Sequence, residues 1–138
     1  MKEVEYKDRV GAYAIILNED NNLLTVKTDR GYFLLGGKIE SNENYKDCIK
    51  RECIEEAGLE VEVKEFICKA SKYTFIDSLK SYIHAIGNFY TAEVKGEISE
   101  PIEKNHQLKW IRRDEYHEKL YLEHQVWAID KAIDLKYI

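Results

Sequence analysis

Cysteine is scarce in this sequence, and its three residues form no paired motif. Cys48, Cys53 and Cys68 are odd in number and include no C-x-x-C pair, which argues against a disulfide scaffold and a zinc site and favours a reducing cytoplasm. No apolar run approaches the length of a membrane-spanning helix, and the first ten residues lack the apolar core of a signal peptide. We therefore expect a cytoplasmic protein without a membrane partner.

An excess of positive charge is also missing. The net charge is −5 at pH 7, which argues against binding to a nucleic-acid duplex or a membrane surface through a basic field. The chain has 138 residues, of which 44% are hydrophobic and 34% charged, as is usual for one globular domain with a full core. Internal repeats and low-complexity tracts are absent, so we expect residues 1–138 to form a single domain.

The order of the periodic segments predicts the fold class. Strand-like segments with alternating or continuous apolar residues lie at 10–17, 23–27, 32–35, 59–75, 81–94 and 108–111. The first two strands are separated by a short turn-forming cluster and should form a hairpin. An amphipathic helix is predicted at about 120–133, in addition to the helix described next. This order predicts an α/β fold of the α+β type, a sandwich with a mixed sheet between helices.

The segment 36–59 carries the clearest local signals. Asn44 is a favoured N-cap residue, and Asp47 three residues later completes a capping-box arrangement with acidic charge in the first turn. Gly58 is a favoured residue just after the last turn of a helix. We therefore predict a helix at about 45–57.

Three acidic residues lie on the face of this helix that should pack on the core. Glu52 and Glu56 fall inside the apolar arc of the helix, and Glu55 lies at its edge, although an unpaired carboxylate is costly to bury. At spacings of three and four residues the carboxylates repel one another unless a cation lies among them. Hard divalent cations prefer such oxygen ligands. The alternative is a solvated acidic patch, neutralised in part by Lys50 and Arg51.

The segment 36–59 begins with two glycines and continues through a polar loop into the predicted helix. It resembles the Nudix box of the Nudix (MutT-like) hydrolases. The box pattern is G-x5-E-x7-R-E-U-x-E-E-x-G-U, where U is a bulky aliphatic residue. It is filled here by Gly37, Glu43, Arg51, Glu52, Cys53, Glu55, Glu56, Gly58 and Leu59. Only Cys53 departs from the pattern, and so many fixed identities over 23 residues make the resemblance specific. The wider resemblance covers roughly residues 10–133.

The resemblance implies metal-dependent hydrolysis of a nucleoside diphosphate that is linked to another group, with Mg²⁺ or Mn²⁺ as the cofactor. Glu52, Glu55 and Glu56 resemble the metal-binding acids of the family. Gly37 resembles the residue whose backbone carbonyl also reaches a metal, and Arg51 resembles the arginine that orients the acids.

The same resemblance suggests more specific roles. Glu52, Glu55 and Arg51 are expected to act in catalysis, with Glu52 as the general base because it should lie deepest in the apolar arc. Many members of the family carry a further acid on a late loop before a strand. Gln107 stands at the nearest spacing in this chain, so Glu103 is the candidate for this additional metal ligand.

Residues that bind the substrate are less clearly marked. Lys38 could meet phosphates, and Tyr73 and Tyr82 could stack a nucleobase, whereas a solvated lysine and packed aromatic rings are the alternatives. Signatures of the subfamilies that act on ADP-ribose, NADH and coenzyme A are absent, which favours a nucleoside or deoxynucleoside triphosphate as the small-molecule substrate. A regulatory domain that binds a nucleotide without cleaving it is the alternative function, and a homodimer is left open.

Overall fold

The computed structural model describes residues 4–102 and 106–138 of the chain. Its strands are β1 (Lys7–Ile16), β2 (Leu23–Thr28), β3 (Gly31–Phe33), β4 (Leu35–Lys38), β5 (Leu59–Ile76), β6 (Ser81–Glu97) and β7 (Gln107–Ile111). Its helices are α1 (Tyr45–Ala57), α2 (Tyr116–Lys119) and α3 (Glu123–Asp134), with short 3₁₀ turns at Asp77–Leu79 and Arg113–Glu115. Every predicted strand and helix therefore has a counterpart in the structure.

The strands form two sheets, and the larger one separates the long helices. The order in the mixed sheet is β4-β1-β6-β5, in which β1 runs parallel to β6 and the other pairs are antiparallel. The strands β3, β2 and β7 form a separate antiparallel sheet. Alternate residues of β1 pack in different apolar clusters, one with α1 and one with α3, so these helices cover opposite faces. The predicted fold class is confirmed.

The predicted hairpin of the first two strands is wrong. β1 and β2 belong to different sheets. They are joined by an isolated antiparallel β-bridge between Leu17 and Leu23. The side chain of Asn18 accepts hydrogen bonds from the N–H groups of Asp20 and Asn22, both at 2.9 Å. This turn leads the chain out of the mixed sheet, and both edges of β1 are then taken by β4 and β6.

The helix α1 begins and ends as predicted. The side chain of Asn44 accepts a hydrogen bond from the Asp47 N–H at 2.8 Å. Gly58 has a left-handed backbone with a φ of 66°, and its N–H donates to the Ile54 carbonyl at 2.8 Å. Glycine is needed at this position because a Cβ would also collide with the Ser99 carbonyl oxygen.

Removal of the N-cap gives a stability test of α1. We expect Asn44→Ala to lower the free energy of unfolding by about 1 kcal/mol, because the Asp47 N–H loses its acceptor. Asn44→Asp keeps an acceptor and should unfold close to the wild type. Denaturant unfolding measures both, and an equal loss in the two variants would contradict the capping role.

Two cysteines lie in the apolar cluster between α1 and the sheet. Cys48 and Cys53 are fully buried there, as expected for small core groups. Both are free thiols, as is the half-buried Cys68. Within the described ranges, no helix has the length and apolarity needed to cross a bilayer.

His124 on α3 is a buried titratable residue beside the apolar cluster that α3 forms with the mixed sheet. Its side chain packs edge-on against the ring of Phe89, and the residue is 1% exposed. In the part of the chain that the structure describes, its Nδ1 has no hydrogen-bond partner. Burial, together with the charge of Lys72, lowers the pKa of His124 to about 4. The imidazole is therefore neutral in the folded protein at neutral pH.

This depressed pKa predicts a loss of stability in mild acid. Between pH 6.5 and about 4, the unfolded chain binds a proton at His124 that the folded chain does not bind. The free energy of unfolding should therefore fall through this window as the pH is lowered, by up to roughly 3 kcal/mol. We expect His124→Asn to reduce this pH dependence, measured by denaturant unfolding at several pH values. The exposed His117→Asn is the control, and an equal pH dependence in both variants would contradict the prediction.

Candidate active site

Gly36 and Gly37 contact two carboxylates of α1 at the edge of the mixed sheet. Gly37 in β4 pairs with Ala12 of β1, on the sheet face that α1 covers. The carboxylate of Glu52 lies against Gly37, since a Cβ there would be 2.6 Å from Glu52 Oε1. Glu56, about one turn later on α1, accepts a hydrogen bond from the Gly36 N–H through Oε1 at 2.9 Å. Two carboxylates and the backbone of Gly36 and Gly37 are thus brought together at one point.

The guanidinium of Arg51 connects the loop, β4 and α1. Its Nε donates to Glu43 Oε2 at 2.7 Å, and its Nη1 donates to Glu52 Oε1 at 2.9 Å and to Glu55 Oε2 at 3.2 Å. Its Nη2 reaches the carbonyl oxygen of Lys38 at 3.1 Å. Arg51 and Glu55 are four residues apart on α1 and form an ion pair. The arginine therefore holds two of the acids on the same side of the helix.

These hydrogen bonds also determine which groups at the site are charged. The hydrogen bond from Arg51 lowers the pKa of Glu43 to about 2, and the same bond raises the pKa of Arg51 further above its usual range. Burial raises the pKa of the Cys48 thiol to about 12, so it stays protonated and its S–H points to the Gly37 carbonyl at 3.4 Å. At neutral pH the arginine and Glu43 are charged, and the thiol is neutral.

The depth of the acids differs from the prediction. The side-chain exposures are 8% for Glu56, 13% for Glu52 and 32% for Glu55. The expectation that Glu52 lies deepest is therefore wrong. Glu56 is drawn inward by the Gly36 N–H, and His106 Nδ1 lies 3.7 Å from its Oε2.

These groups open onto a cleft of about 900 Å³. The cleft is lined by Arg9, Gly36, Gly37, Lys38, Ile39, Glu40, Ser41, Arg51, Glu52, Glu55, Glu56 and His106. Among the lining residues that were missed from the sequence are two basic ones, Arg9 and His106. Arg9 was missed because the predicted first strand began at residue 10, whereas β1 begins at Lys7. His106 was missed because no local pattern in the sequence marks it.

Tyr73 and Tyr82 are not brought to this cleft. They are 60% and 44% exposed and belong to an exposed aromatic patch, which we define as Tyr6, Tyr73, Phe75 and Tyr82. The ring of His84 stacks on Tyr73 at 4.1 Å. The register of β1 puts His84 four residues beyond the position that pairs with Gly37, which is roughly 13 Å along the strand. That these tyrosines bind substrate stays a prediction.

The donor groups at the cleft suit a hard divalent cation. Mg²⁺ and Mn²⁺ prefer carboxylate and carbonyl oxygens, which are supplied here by Gly37, Glu52, Glu55 and Glu56. Within residues 4–102 and 106–138, no three side chains of His, Cys, Asp or Glu are already arranged as metal ligands. Arg51 engages only Oε1 of Glu52 and Oε2 of Glu55, and the second oxygen of a carboxylate can also bind a cation. The other candidate ligand, Glu103, lies outside the described residues.

Comparison with known proteins gives a match over most of the chain. The sequence model of the NUDIX domain matches residues 7–131. The crystal structure of a MutT NUDIX hydrolase from Burkholderia pseudomallei is similar with a TM-score of 0.71 and 25% identity, covering 91% of this chain and 98% of that one. A MutT protein from Methanosarcina mazei Go1 has a TM-score of 0.73 at 16% identity, covering 97% and 99% of the two chains, and this likeness shows the fold.

A shorter match involves a viral protein. The chain is 41% identical over 51 residues to the mRNA-decapping protein OPG121 of monkeypox virus. The matched segment makes up 37% of this chain and 24% of the viral protein. The chain thus spans about a quarter of the curated relative that it matches.

Proposed function

Because the chain belongs to the NUDIX family, we propose that it is a metal-dependent pyrophosphohydrolase acting on a nucleoside diphosphate that is linked to another group. The family and the likeness to a MutT hydrolase support the hydrolysis of a phosphorus-containing acid anhydride. One observation carries the proposal: Glu52 and Glu56 meet the backbone of Gly36 and Gly37 in an open cleft. Carboxylates repel a polyphosphate, so this cluster suits that substrate only together with divalent cations.

We assign metal binding to the oxygens of Gly37, Glu52, Glu55 and Glu56, with Glu103 as an additional candidate. Bound Mg²⁺ or Mn²⁺ would supply positive charge to the phosphate oxygens and lower the pKa of a bound water. Arg51 keeps Glu52 and Glu55 on the cleft side of α1. Glu43 in turn anchors Arg51, so the acids are positioned before a cation arrives.

Glu52 is our candidate for the general base. Its carboxylate lies at the Gly37 backbone, where the attacked phosphorus would be held, and a carboxylate in this position can accept the proton of an attacking water. Glu56 is less suited because the Gly36 N–H already engages its carboxylate. Lys38 lines the cleft and is our candidate for contact with the phosphates.

We propose a nucleoside or deoxynucleoside triphosphate as the substrate, because the signatures of the subfamilies that act on ADP-ribose, NADH and coenzyme A are absent from the sequence. We propose the cytoplasm as the location, because all three cysteines are free thiols. Tyr73 and Tyr82 could then contact only a part of the substrate that extends out of the cleft along the sheet. The double variant Tyr73→Ala/Tyr82→Ala should raise KM for the nucleotide and leave affinity for inorganic pyrophosphate unchanged. The exposed aromatic patch could alternatively form the interface of a homodimer, and sedimentation of the wild type and the same variant tests this.

Isotope labelling tests the reaction itself. In ¹⁸O-labelled water with Mg²⁺, we expect the label in a phosphoryl group of the products, because water attacks phosphorus. A domain that binds nucleotides without cleaving them would instead raise the melting temperature in the presence of nucleotide and release no product. Label on a carbon-linked oxygen of the product would contradict the proposed attack.

A further inference from the structure

The cleft contains an arginine that the metal site does not use. Arg9 lies on β1, is half-buried and lines the cleft together with the acids. Among the described residues its guanidinium makes neither a hydrogen bond nor an ion pair. Arg51, the other arginine of the cleft, already donates to Glu43, Glu52 and Glu55. Arg9 is therefore the guanidinium that is available to a ligand.

Tyr13 lies on the same face of β1 as Arg9. The side chains at alternate positions 9, 11 and 13 point to the sheet face opposite α1. Gly11 leaves a gap there, since a Cβ would lie 2.5 Å from the Gly37 carbonyl oxygen and 3.0 Å from the Tyr13 hydroxyl. The hydroxyl therefore reaches the neighbourhood of the same carbonyl that we assign to metal binding. The stacked ring of Phe89 holds Tyr13 in this position.

Charged groups of both signs lie near Tyr13. Burial raises the pKa of Tyr13 to about 12, Arg9 opposes this change, and the carboxylates of Glu56 and Glu52 add to it. All three charged groups are thus within electrostatic range of one hydroxyl. Tyr13 also stays protonated at neutral pH and can donate a hydrogen bond.

We propose that Arg9 binds the phosphoryl group of the substrate that lies farther from the acids, and that the Tyr13 hydroxyl donates to the same group. This inference rests on the proposed function. Cations at the acids would neutralise the negative charge nearest to them, whereas a polyphosphate carries further negative charge. A guanidinium forms two parallel hydrogen bonds to phosphate oxygens, which a lysine cannot reproduce. Arg9 is thereby a specificity-determining residue for a substrate with consecutive phosphates.

Inorganic pyrophosphate with Mg²⁺ is the probe, because its binding can be measured by calorimetry without turnover. We expect Arg9→Gln to weaken this binding by roughly 10- to 100-fold, as is usual for the loss of hydrogen bonds to a charged group. Arg9→Lys should recover part of the affinity, and Tyr13→Phe should lose less than Arg9→Gln. In turnover, Arg9→Gln should raise KM more than it lowers kcat.

The exposed Arg30 lies outside the cleft lining, so Arg30→Gln is the matched control and should bind like the wild type. Unfolding of each variant by circular dichroism shows whether the fold is kept. Unchanged pyrophosphate affinity in a folded Arg9→Gln, or an equal loss in Arg30→Gln, would overturn the proposal. If the wild type binds pyrophosphate through Arg9 but cleaves no anhydride, the proposed function fails and this inference stands. If the wild type turns over a nucleotide and Arg9→Gln changes neither KM nor kcat, this inference fails and the proposed function stands.

Discussion

Glu52→Gln should lower kcat of the metal-dependent reaction by about 10²- to 10⁴-fold, the usual contribution of a positioned general base. The amide cannot accept the proton of the attacking water, and it is a weaker ligand than a carboxylate. The fold should survive, because Arg51 keeps its hydrogen bonds to Glu43 and Glu55. Turnover of the wild type and the variant at saturating Mg²⁺ measures the effect, and melting curves monitor the fold.

The matched control is Glu60→Gln, which removes a carboxylate from an exposed position of β5. It changes the net charge by the same amount and should leave kcat unchanged. A Glu52→Gln enzyme with wild-type turnover would remove Glu52 from its role as the base. Equal losses in the two variants would attribute the effect to net charge and not to the site.

Gly37→Ala should abolish most activity while the protein stays folded. The added Cβ would lie 2.6 Å from Glu52 Oε1 and 2.7 Å from its Cδ, so the carboxylate has to move away from Gly37. A displacement of about 1 Å at a reacting group can cost about 10²-fold in rate. The backbone of Gly37 does not have a positive φ, and the atoms that the Cβ meets belong to the end of a flexible side chain. The melting temperature should therefore change little.

Gly36→Ala should instead destabilise the fold. Gly36 has a φ of 143°, and a Cβ there would collide with the Ala12 carbonyl oxygen and lie 2.7 Å from the Tyr13 Cα. These are backbone atoms in the middle of the sheet and cannot turn aside, so we expect a loss of about 2–4 kcal/mol in the free energy of unfolding. Thermal unfolding and kcat of both variants make the comparison. A Gly37→Ala protein with full activity would contradict the close contact between Glu52 and Gly37.

Local signals explain most of what could be predicted. The caps of α1 at Asn44 and Gly58 depend on contacts within a few residues, and the structure has both ends of the helix where they were expected. The spacing of the acids placed them on one side of α1, and the family pattern added Gly37. Each of these inferences concerns one helix and the loop directly before it.

Contacts between distant segments explain what was missed. Whether β1 pairs with β2 depends on which strands take its edges, and the parallel partner β6 follows more than sixty residues later. The same pairing extends β1 as far as Arg9, which lies opposite Ala85. Glu56 lies deeper than Glu52 because of the Gly36 N–H, a contact that helical spacing does not contain.

The most direct test of the central claim is the dependence of turnover on Mg²⁺. Release of phosphate or pyrophosphate from a panel of nucleoside triphosphates and nucleoside diphosphate derivatives is followed with Mg²⁺, with EDTA, and after Mg²⁺ is restored. We predict turnover of at least one compound with Mg²⁺, its loss with EDTA and its return on restoring the cation. Turnover that EDTA does not affect, or no turnover of any compound at any Mg²⁺ concentration, would contradict the proposed metal-dependent pyrophosphohydrolase.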